Sequence, residues 1–264
     1  MCIRDRQLGA RWAAIQQDAD TYASTDDDAI SLHAGWKISD DESWSLSLGV
    51  GSAVRFPSLT ERYYNGMTAR GDLRGNADLA PEQSLGWDIG WMQRVLSGTL
   101  RLQAYQQTFD DYIERINLPD QSRTYVNLSE GTIEGAELSF RLPFNASWYS
   151  EFSAQHVRGE DGNGNALSQI PADRFTALMG YRLDACQVEL RWTWRDSKTD
   201  TGSDELAFDD SDYGDISAAC DLGKSWKVSI ITRNASDELY RLNADDQSAY
   251  ANGRTIQFAV EWRQ

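Results

Sequence analysis

Apolar and polar residues alternate with a period of two along most of this chain. Residues 254–263 place Ile256, Phe258, Val260 and Trp262 on one face of an extended segment and polar or small residues on the other. The same alternation occurs in residues 30–38, 85–92 and 187–195. Successive side chains of a β-strand point to opposite sides of a sheet, whereas helical faces repeat about every 3.6 residues. The pattern therefore predicts an all-β protein.

About twelve such segments follow one another, and helical patterns are nearly absent. We predict strands near residues 7–17, 29–38, 44–55, 83–94, 99–112, 123–142, 147–158, 173–183, 186–198, 213–222, 225–234 and 254–263.

Short and long connections alternate between these strands. The predicted short turns are residues 39–43, 95–98, 143–146, 184–185 and 223–224. The predicted long polar loops are residues 18–28, 56–82, 113–122, 159–172, 199–212 and 235–253. Tight turns at one end and longer loops at the other are typical of an antiparallel up-and-down transmembrane β-barrel in a bacterial outer membrane. A soluble β-sandwich binding module would show the same residue alternation and stays open as an alternative.

Tryptophan supports the membrane interpretation. Six of the ten Trp residues fall at the predicted short-turn end: Trp36, Trp44, Trp91, Trp148, Trp226 and Trp262. An indole ring with one polar N–H is favoured at the boundary between lipid and water, where barrels carry aromatic girdles. In a soluble sandwich, we would expect Trp to be scattered through the core.

Charge and composition exclude several functions. The formal net charge is -16, with 41 Asp and Glu residues against 25 Lys and Arg, so no basic surface is available to bind nucleic acid. No apolar run approaches the ~20 residues that a membrane helix needs. The sequence contains no Cys/His metal spacing and no Ser/His/Asp grouping, so we expect no metal, no cofactor and no enzymatic activity.

A few polar features have simple structural interpretations. His33 and His156 are expected to face a hydrated lumen, and the acidic stretches 25–28 and 208–212 are expected to be solvated loops. The DGNGN run at 161–165 is similar to half of a calcium loop but lacks the acidic ligand at its twelfth position, so a flexible loop is the simpler interpretation.

Cys186 and Cys220 lie on consecutive predicted strands near the same rim and share the apolar face. A disulfide between them is possible in an oxidising compartment.

Four motifs occur in a fixed order. They are VRFPSLTERYYNG at 54–66, GNADLAPEQSLGWDI at 75–89, YVNLSEGTIEGAELSF at 125–140 and RNASDELY at 233–240. Their order and spacing resemble the C-terminal half of the barrel of TonB-dependent receptors. The residues that carry the resemblance include Arg55, Pro57, Ser58, Glu61, Asn76, Pro81, Glu82, Asn127, Gly135, Glu137 and Asn234.

The resemblance implies an outer-membrane receptor that takes up a scarce nutrient, with a ferric siderophore as the default ligand and haem, cobalamin and glycans as open alternatives. It implies contact with outer-membrane lipid, and with the TonB complex through an N-terminal plug.

The resemblance implies a barrel of about twenty-two strands with an N-terminal plug, whereas about twelve strands and no plug segment are found here. We therefore interpret residues 7–264 as the C-terminal part of such a barrel and residues 1–6 as an artefact or disordered start. The chain ends in Trp262-Arg263-Gln264, whereas the family usually closes on an aromatic residue.

The long connection at 56–82 is the predicted ligand site. Its candidate residues are Arg62, Tyr63, Tyr64, Arg70 and Arg74. Arginine and tyrosine suit an anionic, oxygen-rich chelate, because they offer charge-assisted hydrogen bonds and flat stacking surfaces. The alternative is that these residues only pack the loop.

A second class of function also fits the strand count. A complete twelve-stranded barrel, such as an autotransporter translocator or an outer-membrane protease or phospholipase, would close without further strands. The four ordered motifs favour the receptor.

Overall fold

The computed structural model of the chain consists almost entirely of one antiparallel sheet. It describes residues 2–19, 22–40, 43–69, 71–203, 205–246 and 248–262. Twelve strands form the sheet in the order β1-β2-β3-β6-β7-β8-β9-β10-β11-β12-β13-β14, so each is hydrogen-bonded to its neighbours along this path. They are β1 (Cys2–Ala19), β2 (Tyr22–Asp40), β3 (Trp44–Arg55), β6 (Glu82–Val95), β7 (Gly98–Asn117), β8 (Arg123–Pro143), β9 (Trp148–Asp161), β10 (Arg174–Leu183), β11 (Cys186–Arg195), β12 (Ser211–Leu222), β13 (Trp226–Arg233) and β14 (Thr255–Trp262).

The connection between β3 and β6 has structure of its own. A short helix, α1 (Leu59–Tyr63), is followed by a hairpin of β4 (Asn65–Thr68) and β5 (Gly71–Arg74). The start of β8 adds to this hairpin in parallel, with Leu73 opposite Arg123. The hairpin therefore lies over the loop end of the sheet.

All twelve predicted strands are present, and β3 matches its predicted bounds. Two of the predicted long loops are shorter than expected. Residues 22–28 belong to β2 and residues 113–117 to β7, because both strands extend beyond the apolar segments from which they were predicted. Strand β1 also begins earlier than predicted, at Cys2, and residues 2–6 pair with residues 36–40.

The two faces of the sheet differ in chemistry. One cross-strand row on the apolar face consists of Trp91, Leu102, Leu138, Ala154, Phe175 and Trp194. This face is exposed rather than packed into a core: Ile256 is 56% exposed and Phe258 78%. The opposite face carries polar groups such as Tyr149, whose hydroxyl donates to Glu189 Oε1 at 2.5 Å. This is the arrangement predicted for strands with lipid on one side and a wet interior on the other.

The tryptophans form two bands, only one of which was predicted. Trp226 lies directly opposite Trp262 at the short-turn end. Trp12, Trp87 and Trp192 lie further toward the loop end, and their indole N–H groups donate to Asp28, Gln106 and Asp212. Trp194 accompanies them in β11. The second band matches the aromatic girdle expected at the other boundary of a membrane.

The sheet is open within the described residues. Strands β1 and β14 each pair with a single neighbour, so both ends of the sheet are free edges there. No helix among the described residues is long and apolar enough to cross a membrane.

The two histidines, the acidic stretch at 25–28 and the cysteine pair were also predicted from the sequence. His33 lies on the polar face as expected. His156 does not: it is four residues from Phe152 on the same strand, so both side chains point to the apolar face. There, His156 Nδ1 lies 2.7 Å from Asp173 Oδ2. Residues 25–28 were expected to form a solvated loop and instead form part of β2. Cys186 lies directly opposite Cys220, and the two form a disulfide.

Candidate functional site

The connection between β3 and β6 is fixed to the sheet at the start of α1. Ser58 caps the helix: its Oγ accepts from the Glu61 backbone N–H at 3.2 Å, and Glu61 Oε2 accepts from the Ser58 N–H at 2.7 Å. This reciprocal pair satisfies backbone donors that a helix start leaves free. Partial burial opposes ionisation of Glu61, but the Ser58 N–H and the Arg55 guanidinium outweigh it and hold the pKa of Glu61 below its ordinary value.

Arg55 joins α1 to the strands on either side of the connection. Its Nη1 donates to Glu61 Oε1 at 3.0 Å, and its Nη2 donates to Glu82 Oε2 at 3.1 Å. Glu82 Oε2 also accepts from the Ile113 backbone N–H at 3.1 Å. The motif residues on β3, α1 and β6 therefore form one hydrogen-bonded network.

Arg62 is the most deeply buried charged side chain of the described residues, with 1% exposure. Its Nη1 donates to Gln17 Oε1 at 2.8 Å and lies 2.7 Å from Asp27 Oδ2, and its Nη2 donates to the Leu79 carbonyl at 2.8 Å. Gln17 in turn donates to the Pro57 carbonyl at 2.7 Å. Arg62 thus connects α1 to β1 and β2.

Two asparagines hold the second half of the connection. Asn76 Nδ2 donates to the Tyr125 carbonyl at 3.0 Å. Asn127 accepts from the Ala80 N–H at 2.9 Å and donates to the carbonyls of Ala80 and Asp111 at 3.1 and 2.7 Å. Pro81 follows Ala80 directly and, lacking an N–H, needs no partner there. We call the Arg55, Glu61, Arg62, Asn76, Glu82 and Asn127 contacts the clasp.

The other motif residues have comparable structural positions. Gly135 lies under the Tyr105 ring, where a Cβ would meet the hydroxyl at 2.5 Å. Glu137 lies two residues further along β8, on the same face. Asn234 is buried and donates to the carbonyls of Glu238 and Asn252 at 2.8 and 3.1 Å, so it shapes the connection before β14.

The predicted ligand residues are not brought together on one surface. Arg62 is buried in the clasp, and the Tyr63 hydroxyl is hydrogen-bonded to Thr25. Tyr64 is 38% exposed and donates to the Met67 carbonyl. Arg74 is 49% exposed and lies 3.0 Å from Asp72 and 3.2 Å from Asp120. Arg70 lies outside the described residues.

A separate cavity lies at the loop end of the polar face. It has a volume of about 660 Å³ and lies between β9–β12 and the connections that precede β10 and β14. Its lining includes Gln155, Arg174, Arg195, Tyr213, Tyr240 and Leu242. Sequence reasoning missed this cavity, although Arg174 and Arg195 have the polar-face spacing and lie at the loop ends of their strands.

Arg195 and two tyrosines are the main side chains of this cavity. Arg195 Cζ lies 4.3 Å from the Phe208 ring centre and 5.1 Å from that of Tyr240. The Tyr213 and Tyr240 rings are stacked, with centroids 4.4 Å apart and an interplanar angle of 4°. Burial, followed by the hydrogen bond with Tyr213, raises the pKa of Tyr240, so the Tyr240 ring stays neutral near neutral pH.

The possible calcium loop is satisfied by its own chain. Asp161 accepts from the Asn163 N–H at 2.9 Å and from the Asn165 N–H at 2.8 Å. Within the described residues, no group of three or more His, Cys, Asp or Glu side chains could hold a metal ion.

Comparison with known proteins identifies the family. A family model described as "TonB dependent receptor-like, beta-barrel" matches residues 6–251. The chain is 29% identical over 170 residues to the iron-regulated outer membrane virulence protein of Vibrio cholerae. This alignment covers 57% of this chain and 26% of the Vibrio protein.

Solved structures show the same fold. The copper transporter OprC superimposes with a TM-score of 0.85 at 17% identity, over 99% of this chain and 44% of OprC. The ferric enterobactin receptor PfeA of Pseudomonas aeruginosa superimposes with a TM-score of 0.75 at 17% identity, over 97% of this chain and 43% of PfeA. The matched region spans about a quarter of the curated relative and less than half of these structures. The chain belongs to the TonB-dependent receptor β-barrel family of the bacterial outer membrane.

Proposed function

We propose that this chain is the C-terminal part of the barrel of a receptor that takes up a ferric siderophore across the outer membrane. The observation that carries the proposal is the family match over residues 6–251, together with an iron-regulated relative and siderophore receptors that share the fold. In this proposal, the remaining strands and a plug complete the receptor, outer-membrane lipid surrounds it, and the TonB complex acts on it through the plug.

The loop-end cavity is the part of the chain best suited to contact such a ligand. A volume of about 660 Å³ lies within the range of small-molecule sites. Arg174, Arg195, Tyr213 and Tyr240 offer positive charge and stacked rings to an oxygen-rich anion. Tyr64, Arg70 and Arg74, from the connection between β3 and β6, are proposed to contact the ligand as well. The burial of Arg62 and the hydrogen bond of Tyr63 count against direct contact by these two residues.

Copper is the second candidate cargo, because the chain superimposes on OprC. Copper sites favour imidazole, thiolate and thioether ligands. The described residues that line the cavity include no His, Cys or Met. The cavity therefore favours a chelate bound through its oxygen atoms over a bare copper ion.

A complete twelve-stranded barrel, such as an autotransporter translocator, has less support. Among the described residues, β1 and β14 are free edges rather than partners, and the matching family is a different one.

Transport can be tested in an iron-starved strain that lacks its own siderophore receptors. We expect the full-length receptor to restore growth and uptake of labelled iron with at least one ferric siderophore, and only when TonB is present. Restored copper uptake without iron uptake would favour the second candidate. No uptake of either metal at normal surface expression would contradict both.

The hairpin contribution has its own test. We expect Arg70→Ala and Arg74→Ala each to reduce uptake while surface expression stays normal, because each removes a charged donor for an anionic ligand. Asp72→Asn, a change on the same hairpin that removes an acid instead, is the control. Unchanged uptake in both arginine variants would contradict ligand contact by the hairpin.

A further inference from the structure

Arg195 is incompletely hydrogen-bonded within the cavity. Its Nη1 donates to the Leu242 carbonyl at 3.2 Å. Its Nε and Nη2 are buried, and neither has a hydrogen-bond partner in the part of the chain that the structure describes. Buried polar atoms are nearly always paired in folded proteins, so two unmet donors on one guanidinium call for a partner.

The two unmet donors lie on one edge of the guanidinium. Nε–H and Nη2–H point in parallel, in the plane of the group, and this edge matches the two oxygens of a carboxylate. The Phe208 and Tyr240 rings contact the same group through cation–π interactions, which leaves its in-plane hydrogen-bonding capacity unused. The Nε and Nη2 edge of Arg195 is therefore suited to bind an oxyanion.

The surrounding charges do not fill this role. Glu205 lines the cavity, but its oxygens accept from the Gln169 and Gly202 backbone N–H groups at 2.6 and 2.9 Å. Arg174 donates to Gln155 at 3.2 Å. Asp245 also lines the cavity, and it pairs with Glu205 through an isolated β-bridge of the backbone.

We propose that Arg195 is an oxyanion subsite of the loop-end cavity and binds a carboxylate of the transported ligand side-on through Nε and Nη2. The inference rests on the proposed uptake function and specifies its ligand: a chelate that carries at least one carboxylate. The stacked Tyr213 and Tyr240 rings provide a flat surface beside that carboxylate.

The bound state requires one movement, because both unmet donors are buried. The groups that cover the Nε and Nη2 edge must shift to admit the carboxylate. The Leu242 carbonyl accepts from Nη1, which lies outside this edge, so that hydrogen bond can stay in place and orient the guanidinium.

Calorimetric titration of the full-length receptor with sodium citrate tests the subsite, with sodium phosphate as a second oxyanion and sodium chloride at matched ionic strength as a blank. We expect saturable citrate binding that is about tenfold or more weaker in Arg195→Lys, because lysine keeps the charge but loses the paired donors. Arg195→Gln should abolish binding. Arg141→Gln removes the same charge from the short-turn end, where Arg141 pairs with Glu151, and should bind as the wild type does.

The outcomes separate the subsite from the transport proposal. Equal citrate affinity in wild type and Arg195→Lys, or no saturable binding to wild type, would overturn the subsite even if iron uptake is normal. Phosphate binding that is stronger than citrate binding and lost in Arg195→Lys would overturn the carboxylate assignment. Citrate binding that depends on Arg195 in a receptor without iron uptake would support the subsite and reject the transport proposal. Heat-modifiable migration checks that each variant is folded.

Discussion

Two arginines of the connection between β3 and β6 have very different surroundings. Arg62 and Arg74 belong to the same connection, yet Arg62 is 1% exposed and bonded to three neighbouring groups, whereas the side chain of Arg74 is 49% exposed beside two carboxylates. An exposed ion pair contributes little because water screens it, while the loss of one partner from a buried pair leaves an uncompensated charge. The two arginines should therefore differ in their effect on stability.

Substitution of Arg62 tests this difference. We expect Arg62→Ala to destabilise the docked connection by about 3–5 kcal/mol, because Asp27 and Gln17 lose their partner. Arg74→Ala should cost no more than about 1 kcal/mol. Trypsin cleavage of whole cells between residues 56 and 82 measures the loosening, and equal protection of the two variants would contradict the clasp.

At the scale of elements, α1 is too short to be stable by itself. It contains five residues, Leu59–Tyr63, and isolated helices of this length do not persist in water. The capping pair of Ser58 and Glu61, the ion pair with Arg55 and the burial of Arg62 hold it in place. The helix therefore depends on the ionised form of Glu61.

Acid should release α1. The pKa of Glu61 is held below its ordinary value of 4.5, so its stabilisation is complete above that pH and is lost as pH falls through the lower folded pKa. We expect the protection of the α1 amides, measured relative to the intrinsic exchange rate at each pH, to be high at pH 6 and much lower at about pH 3. Glu61→Gln should have lower protection at pH 6 that changes little with acid; unchanged wild-type protection at pH 3 would argue against this role.

The hairpin of β11 and β12 offers a second test at this scale. Cys186 and Cys220 lie opposite each other and close a loop that includes the connection beside the cavity. We expect faster migration of the unreduced protein on a denaturing gel than after reduction. Cys220→Ser should abolish the difference and lower stability by about 2–4 kcal/mol. Free thiols in the freshly isolated wild type would contradict the disulfide.

At the scale of the whole molecule, both edges of the open sheet need hydrogen-bonding partners before the sheet can be stable in a membrane. Within the described residues, the edges of β1 and β14 present unpaired backbone N–H and C=O groups along the membrane-spanning part of the sheet. Each unpaired group in lipid costs several kcal/mol, so membrane strands are found in closed barrels. In the proposed receptor, further strands would pair with both edges and complete the barrel.

Expression of residues 7–264 alone should therefore not yield a folded barrel. We expect no heat-modifiable migration on gels and rapid digestion by protease in detergent, because both edges stay unpaired. The full-length receptor is the positive control. A protease-resistant, heat-modifiable species from the isolated segment would show that these strands can close by themselves.

The pattern of apolar and polar residues was enough to predict the twelve strands, the two faces of the sheet and the resemblance to the family. A strand puts neighbouring side chains on opposite sides, so the alternation of residues 254–263 places Ile256 and Phe258 together on the apolar face, which is exposed in the structure. The same spacing places Cys186 and Cys220 near one rim on one face, but the long connection between β11 and β12 leaves their register open, so the structure was needed to show that they lie opposite each other.

The polar residues that form sites could not be predicted in this way, because their contacts depend on the tertiary fold. Arg62 meets Gln17 and Asp27 across β1 and β2, and Arg195 meets Tyr240 from the connection before β14. Such contacts join residues that are distant in sequence and depend on how the long connections fold back over the sheet, which a period of two does not encode. The clasp and the oxyanion subsite could therefore not be predicted from the sequence pattern, although the arginines that form them are part of it.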